Sequence, residues 1–297
     1  MSNLKANILG GPSNMPAPVL ATSHGSDVKA TQAGRIRSPI LFLVDVSGST
    51  TEGPNPDLPE IESALTTMIA LMRQPSATNP LAANASTVDV AIVTYNEAPH
   101  LLQPWEEANK LNPLPKLEGK GGTATGTALL SSLDYLLRRI RHYDTAHAQP
   151  IPKSIPHIFH FTDGAPTDVA MDDDKWQAVQ QLMTQVSGDK DKPFSMISHF
   201  VAPNGMVPGN THLKDELGNA MSGYDALARW MGGDCVYELK LAPGMFDTLI
   251  KVIVKSVGGA SKQEGRINDL LQKYNAPLIR NPNSILSGKP KRTGTDG

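Results

Sequence analysis

The sequence predicts an α/β fold, doubly wound, with a mostly parallel central sheet, helices on both faces and one antiparallel edge strand. Three observations predict it. Short apolar or β-branched runs alternate with amphipathic helical stretches along most of the chain. Several runs, such as 40–44 (ILFLV), are continuously apolar, as strands covered on both faces must be. The most polar, glycine-rich turns follow the ends of those runs, where the loops of a parallel sheet converge.

The elements follow in order. Residues 40–44 form the first strand, which ends in the polar turn DVSGST (45–50). Asp57 and Glu60 make a D-x-x-E capping pair for a helix with Ile61, Ala64, Leu65, Met68 and Met72 on one face. The β-branched run 87–95 (TVDVAIVTY) is a second strand, and 99–102 a short edge strand. GKGGTATGTALL then runs from a glycine turn into a helix with a Leu129, Leu133, Leu136 and Ile140 stripe. Arg138, Arg139 and Arg141 sit in its last turn, where they complement the helix dipole.

Residues 155–162 form a further strand, stopping at Asp163-Gly164. Asp172, Asp173 and Asp174 open a helix bearing Trp176, Val179, Met183 and Val186. Strands over 194–201 and 235–239, and helices over 224–231 and around Phe246–Ile253, complete the pattern. The domain reading is a flexible arm at 1–37, one domain at 38–259 with an insert at about 202–226, a helix at 260–281 and a tail at 282–297.

Composition narrows the function. The 297 residues carry 27 basic and 29 acidic side chains, a net charge of −2, which argues against a nucleic-acid-binding surface spread over the whole chain. Cys235 is the single cysteine, so no disulfide forms within the chain and no thiolate cage holds zinc; a cytoplasmic setting is expected. No run approaches the roughly 18 apolar residues that cross a membrane.

Three separated segments place oxygen side chains at the C-terminal edge of the expected sheet. They are Asp45, Ser47 and Ser49 in one turn, Thr123 in the GGT turn, and Asp163 in TDG. Hydroxyls and carboxylates are hard donors that suit Mg²⁺, Mn²⁺ or Ca²⁺. In a tight turn alternate side chains point to one side, so Ser47 and Ser49 can share an ion, and the glycines allow close backbone approach.

DVSGST (45–50), GGTATGTAL (121–129) and FTDGAPTD (161–168) resemble the three parts of a metal-ion-dependent adhesion site. They stand in the order and strand context of the von Willebrand factor A domain, and the likeness runs from about 39 to 257. TDG-x-PTD and GGTxxGxAL look most like the intracellular bacterial members near the TerY tellurite-resistance group. The resemblance implies that Ser47, Ser49 and Thr123 ligate the metal directly, with Asp45 and Asp163 acting through bound waters. It implies an open coordination position that takes a carboxylate from a partner protein, and so binding rather than catalysis. It further implies work in multiprotein assemblies, in stress, tellurite-resistance or anti-phage systems, beside a kinase, phosphatase or ATPase.

The chain departs from the family pattern at Thr50, where many relatives have Met, and in the long loop TTEGPNPDL. A further departure is the added segment VAPNGMVPGNTHLKDELGNAMSGYD, which is expected to shape partner choice. Other readings stand beside this one. The five residues are also ordinary turn and cap formers. Asp45 after a first strand also suits an Mg²⁺-dependent phosphohydrolase with an aspartyl nucleophile, although such enzymes usually want a carboxylate where Ser47 stands. A metal-independent scaffold is the third reading. His157 and His160 differ by an odd number and face opposite sides of their strand, as core residues rather than a zinc pair. Asp168 either orients the Asp163 loop or caps a local turn.

Overall fold

The structure, a computed structural model, describes residues 20, 36–51, 58–73, 87–145, 150–153, 156–162, 167–168, 174–187, 197–203 and 235–239. Most of the expected N-terminal arm, the C-terminal tail, the caps Asp57, Asp172 and Asp173, the site residue Asp163, the insert beyond residue 203 and every helix after it lie outside the described residues; of the arm, Leu20 and Arg37 are described and buried against the domain.

Six strands form one sheet: β1 (Ser38–Asp45), β2 (Val88–Tyr95), β3 (Pro99–Glu107), β4 (His157–Phe161), β5 (Ile197–Pro203) and β6 (Cys235–Leu239). Their order is β3-β2-β1-β4-β5-β6. All neighbours are parallel except β2 and β3, which pair antiparallel at the edge. Among the described residues three α-helices accompany them: α1 (Leu58–Arg73), α2 (Thr125–Thr145) and α3 (Asp174–Ser187). The expected α/β fold with one antiparallel edge pair is therefore present.

Alternation along the strands divides the core in two. Ile40, Phe42 and Val44 of β1, with Val90, Ile92, Phe159 and Phe161, pack beneath Ile61, Leu65, Met68 and Met72 of α1. Leu41 and Leu43, with Ala91, Val93 and Ile158, pack against Leu129, Leu133, Leu136 and Ile140 of α2 and Val179 and Val186 of α3. Each such side chain, fully buried, contributes about 1.5–3 kcal/mol of transfer free energy, so both faces of β1 need their helices. Phe42 stacks on Phe159 with ring centroids 5.3 Å apart. His157 and His160 do face opposite sides, and burial lowers their pKa values to about 4 and about 3. Both are therefore neutral at pH 7.

Two elements differ from expectation. β3 extends to Glu107 rather than stopping near residue 102. Pro104 within it lacks an N–H, and an edge strand tolerates that because one side of its ladder has no partner. Arg139 does not serve the α2 dipole from the surface. It turns inward, is 2 % exposed, and its guanidinium lies 5.3 Å from the Tyr143 ring centroid.

Arg139 belongs to a buried ionic cluster at the N-terminal end of the parallel strands. Asp89, the second residue of β2, accepts from Arg139 Nη2 at 2.9 Å, from Arg37 Nη2 and from the Tyr143 hydroxyl. Burial alone raises a carboxyl pKa, but the charges of Arg139 and Arg37 outweigh it and hold Asp89 below its ordinary value.

Candidate functional site

The order β3-β2-β1-β4-β5-β6 means that the chain winds outward from β1 to β3, then crosses back to start β4 on the other side of β1. The C-terminal ends of β1 and β4 flank this switch point, the place where open α/β sheets gather ligands. Asp45 ends β1, and Thr162 directly follows β4.

Asp45 is fully buried. Its Oδ1 accepts the backbone N–H of Ser47 at 2.8 Å, a bond that closes the turn after the strand. Its Oδ2 accepts the Thr162 hydroxyl at 2.6 Å and faces the Tyr95 hydroxyl at 3.5 Å. Tyr95 in turn shares a 2.7 Å bond with His160 Nε2. Burial raises the Asp45 pKa above the usual carboxylate value, against the opposing bonds from Thr162, Ser47 and Tyr95. Asp45 is thus the organiser of the turn, with both oxygens committed to protein donors.

The turn then presents two hydroxyls that hydrogen-bond each other, with Ser47 Oγ and Ser49 Oγ 3.0 Å apart. Ser47 is buried and Ser49 exposed. Thr50, whose hydroxyl bonds the Ser47 carbonyl at 2.7 Å, holds the turn from below. That bond gives this chain's Thr50 a structural use.

The glycine turn is stitched to this one by backbone bonds, Gly48 N–H to the Gly121 carbonyl at 3.0 Å and Lys120 N–H to the Val46 carbonyl at 2.9 Å. Close approach explains the glycines. A Cβ on Gly119 would stand 2.3 Å from Thr51 Cγ2, and Gly121 has φ +76, the left-handed region that L side chains avoid. Thr123 follows, 6 % exposed. Its carbonyl accepts from Thr125 N, Thr167 N and Thr167 Oγ1.

Four of the five expected site residues, Asp45, Ser47, Ser49 and Thr123, are therefore on adjoining turns at one sheet edge. Asp163 lies outside the described residues, and Thr162 immediately before it is bonded to Asp45. The donor chemistry fits a hard divalent cation. Neighbouring ligands of an octahedral cation with bonds of about 2.1 Å are about 3.0 Å apart, the spacing of the two serine oxygens. Among the described residues no three His, Cys, Asp or Glu side chains gather around one point. Sequence reasoning missed Tyr95 and Thr162, whose one signal is a polar tip at the C-terminal end of a strand.

Residues 40–165 match the family model of the von Willebrand factor type A domain. That match, with the sheet described above, supports a von Willebrand factor A domain in this chain. No curated protein matches the chain. Among solved structures it is similar to the pilus adhesin SpaC from Lactobacillus rhamnosus GG, at 12% identity over 75% of this chain and 31% of that one, with a TM-score of 0.47. It is also similar to the PilB minor pilin from Streptococcus sanguinis, at 13% identity over 75% and 62% of the two chains, with a TM-score of 0.41. A third is the ArnB paralog VWA2 from Sulfolobus acidocaldarius, at 12% identity over 75% and 46%, with a TM-score of 0.41. The chain spans less than two thirds of each of these three structures. Among the described residues no helix is long and apolar enough to cross a membrane.

Proposed function

We propose that this chain is a protein-interaction module that binds its partner through a divalent cation, Mg²⁺ or its relatives Mn²⁺ and Ca²⁺. The observation that carries the reading is the pair of serine hydroxyls 3.0 Å apart at the switch point, beside Thr123 on the stitched glycine turn. Ser47, Ser49 and Thr123 would hold the ion, with Asp45 and Asp163 acting through water. When bound, the cation supplies a Lewis-acidic point charge that attracts a carboxylate. A neutral hydroxyl set leaves that charge largely uncompensated, which favours an acidic side chain from outside over internal satisfaction.

The chain's own residues do the positioning. Asp45 fixes Ser47 through its N–H, and Thr162 and Tyr95 fix Asp45. The long loop after Thr51 and the segment after Pro203 follow strand ends on this edge, and they would select the partner. The setting proposed is a cytoplasmic multiprotein system of the tellurite-resistance, stress or phage-defence kind, the partner a kinase, phosphatase or ATPase of that system. A single cysteine in 297 residues suits a reducing compartment.

The test is capture of partners from native lysate with Mg²⁺ and with EDTA, repeated with Ser49→Ala. Ser49 is exposed, so its loss leaves the core untouched, whereas Asp45→Ala removes a buried acceptor of three donors. Mg²⁺-dependent capture that is lost in Ser49→Ala supports the reading. Capture indifferent to EDTA supports a metal-independent scaffold, and Mg²⁺-dependent phosphate release lost in Asp45→Asn supports the phosphohydrolase.

A further inference from the structure

On sequence grounds Asp168 either orients the Asp163 loop, which lies outside the described residues, or caps a local turn; the structure shows a further role. Its carboxylate reaches across the fold to the start of α2. Oδ1 accepts the Gly126 N–H at 2.9 Å, and Oδ2 accepts the Thr127 N–H at 2.9 Å and the Thr127 hydroxyl at 2.7 Å. Lys175 Nζ locks it from α3, with 2.9 Å bonds to both Oδ2 and the Asp168 carbonyl. The neighbouring Thr167 grips the Thr123 carbonyl twice, through its N–H and its hydroxyl, each at 3.0 Å. The chain after β4 therefore holds both Thr123 and the helix that begins two residues beyond it.

We infer that Thr167 and Asp168 form a clip that positions Thr123 for the cation, with Asp168 the residue on which the clip depends. This rests on the reading of a cation site at the β1–β4 edge. Two effects act together. The bonds remove freedom from a turn that carries Gly119, Gly121 and Gly122 just before Thr123, so the Thr123 hydroxyl is preorganised rather than recruited. The negative charge also offsets both the Lys175 ammonium and the positive N-terminal pole of a 21-residue helix, which would otherwise repel a cation beside Thr123. Bonds from Thr127 and Lys175 outweigh the effect of burial and keep the Asp168 pKa below its ordinary value, so the charge is present at neutral pH.

The experiment titrates the full chain with Mn²⁺ alone, by calorimetry, well below the melting temperature. Asp168→Ala is compared with the wild type and with Tyr143→Phe, which removes a buried bond at the opposite end of the sheet. The expected result is about a tenfold weaker Mn²⁺ affinity in Asp168→Ala, with wild-type affinity in Tyr143→Phe even where the two variants lose similar melting temperature. Wild-type affinity in Asp168→Ala, or affinity that falls in both variants in step with melting temperature, overturns the clip. If the wild type itself binds no Mn²⁺, the reading of the cation site has failed and not the clip alone.

Discussion

The two ends of the central sheet each bury an aspartate, and the two aspartates are held in opposite ways. At the N-terminal end of β2, Asp89 is clamped between Arg37 and Arg139, which push its pKa down. At the C-terminal end of β1, Asp45 is equally buried, meets among the described residues neutral hydroxyl and amide donors, and its pKa is pushed up by burial. The first end is electrostatically closed, because the protein supplies the countercharges itself. The second, the open end, is held by neutral donors, with no cationic side chain paired to Asp45 among the described residues. The difference bears on the proposed cation site: an external cation would complement Asp45, whereas Asp89 already has its countercharges.

The largest expected effect lies at the closed end. Asp89→Asn takes from Arg139 and Arg37 the buried carboxylate they share, leaving Arg37 with the more distant Glu107 at 3.8 Å, and should destabilise the fold by about 3–5 kcal/mol, read from a urea unfolding midpoint. A loss under about 1 kcal/mol would mean that the cluster is not the closed unit described. At the open end, Gly121→Ala forces a side chain into a left-handed backbone and should cost about 1–2 kcal/mol, with weakened metal binding. Asp45→Asn removes a charge that burial disfavours while keeping the shape of the turn. Its unfolding free energy without metal should stay within about 1 kcal/mol of wild type, or rise, while metal binding is lost.

Acid separates the ends too. Asp89 has a lowered pKa in the folded chain, so its contribution is present above the unfolded value and lost as pH falls through the folded one. Asp45 has a raised pKa, so protonating it favours the folded chain. His157 and His160 resist protonation down to about pH 4 and about pH 3, while the unfolded chain takes protons near 6.5. Stability should therefore decline from pH 6.5 downward, and His157→Phe should flatten the part of that decline above pH 4. An unchanged slope in that variant would show that His157 does not carry it.

Much of this architecture was legible because its signals are local. The stripe Ile61, Ala64, Leu65, Met68 and Met72 of α1 is buried as read, and so is Leu129, Leu133, Leu136 and Ile140 of α2. The serine turn was legible for the same reason: Asp45, Ser47 and Ser49 lie within five residues and need only a strand end to converge. What escaped depends on topology. Arg37 and Asp89 are 52 residues apart, Asp89 and Arg139 50, and no periodicity links them. The charged residue inside the β-branched run TVDVAIVTY was the available hint, since a buried strand carries Asp only with partners. Asp168 escaped likewise, because its helix lies 42 residues back in the chain. The edge strand runs past the expected 99–102 to Glu107, through Pro104, which an edge strand tolerates.

The smallest change to the fold is the sharpest probe of the open end. Ser49 is exposed, so Ser49→Ala should alter unfolding free energy by less than about 0.5 kcal/mol. Titrating wild type and Ser49→Ala with Mg²⁺ and Mn²⁺ by calorimetry tests the central claim most directly. One cation should bind per wild-type chain, with at least tenfold weaker binding in the variant at unchanged melting temperature; no binding by the wild type, or equal binding by both, would contradict it.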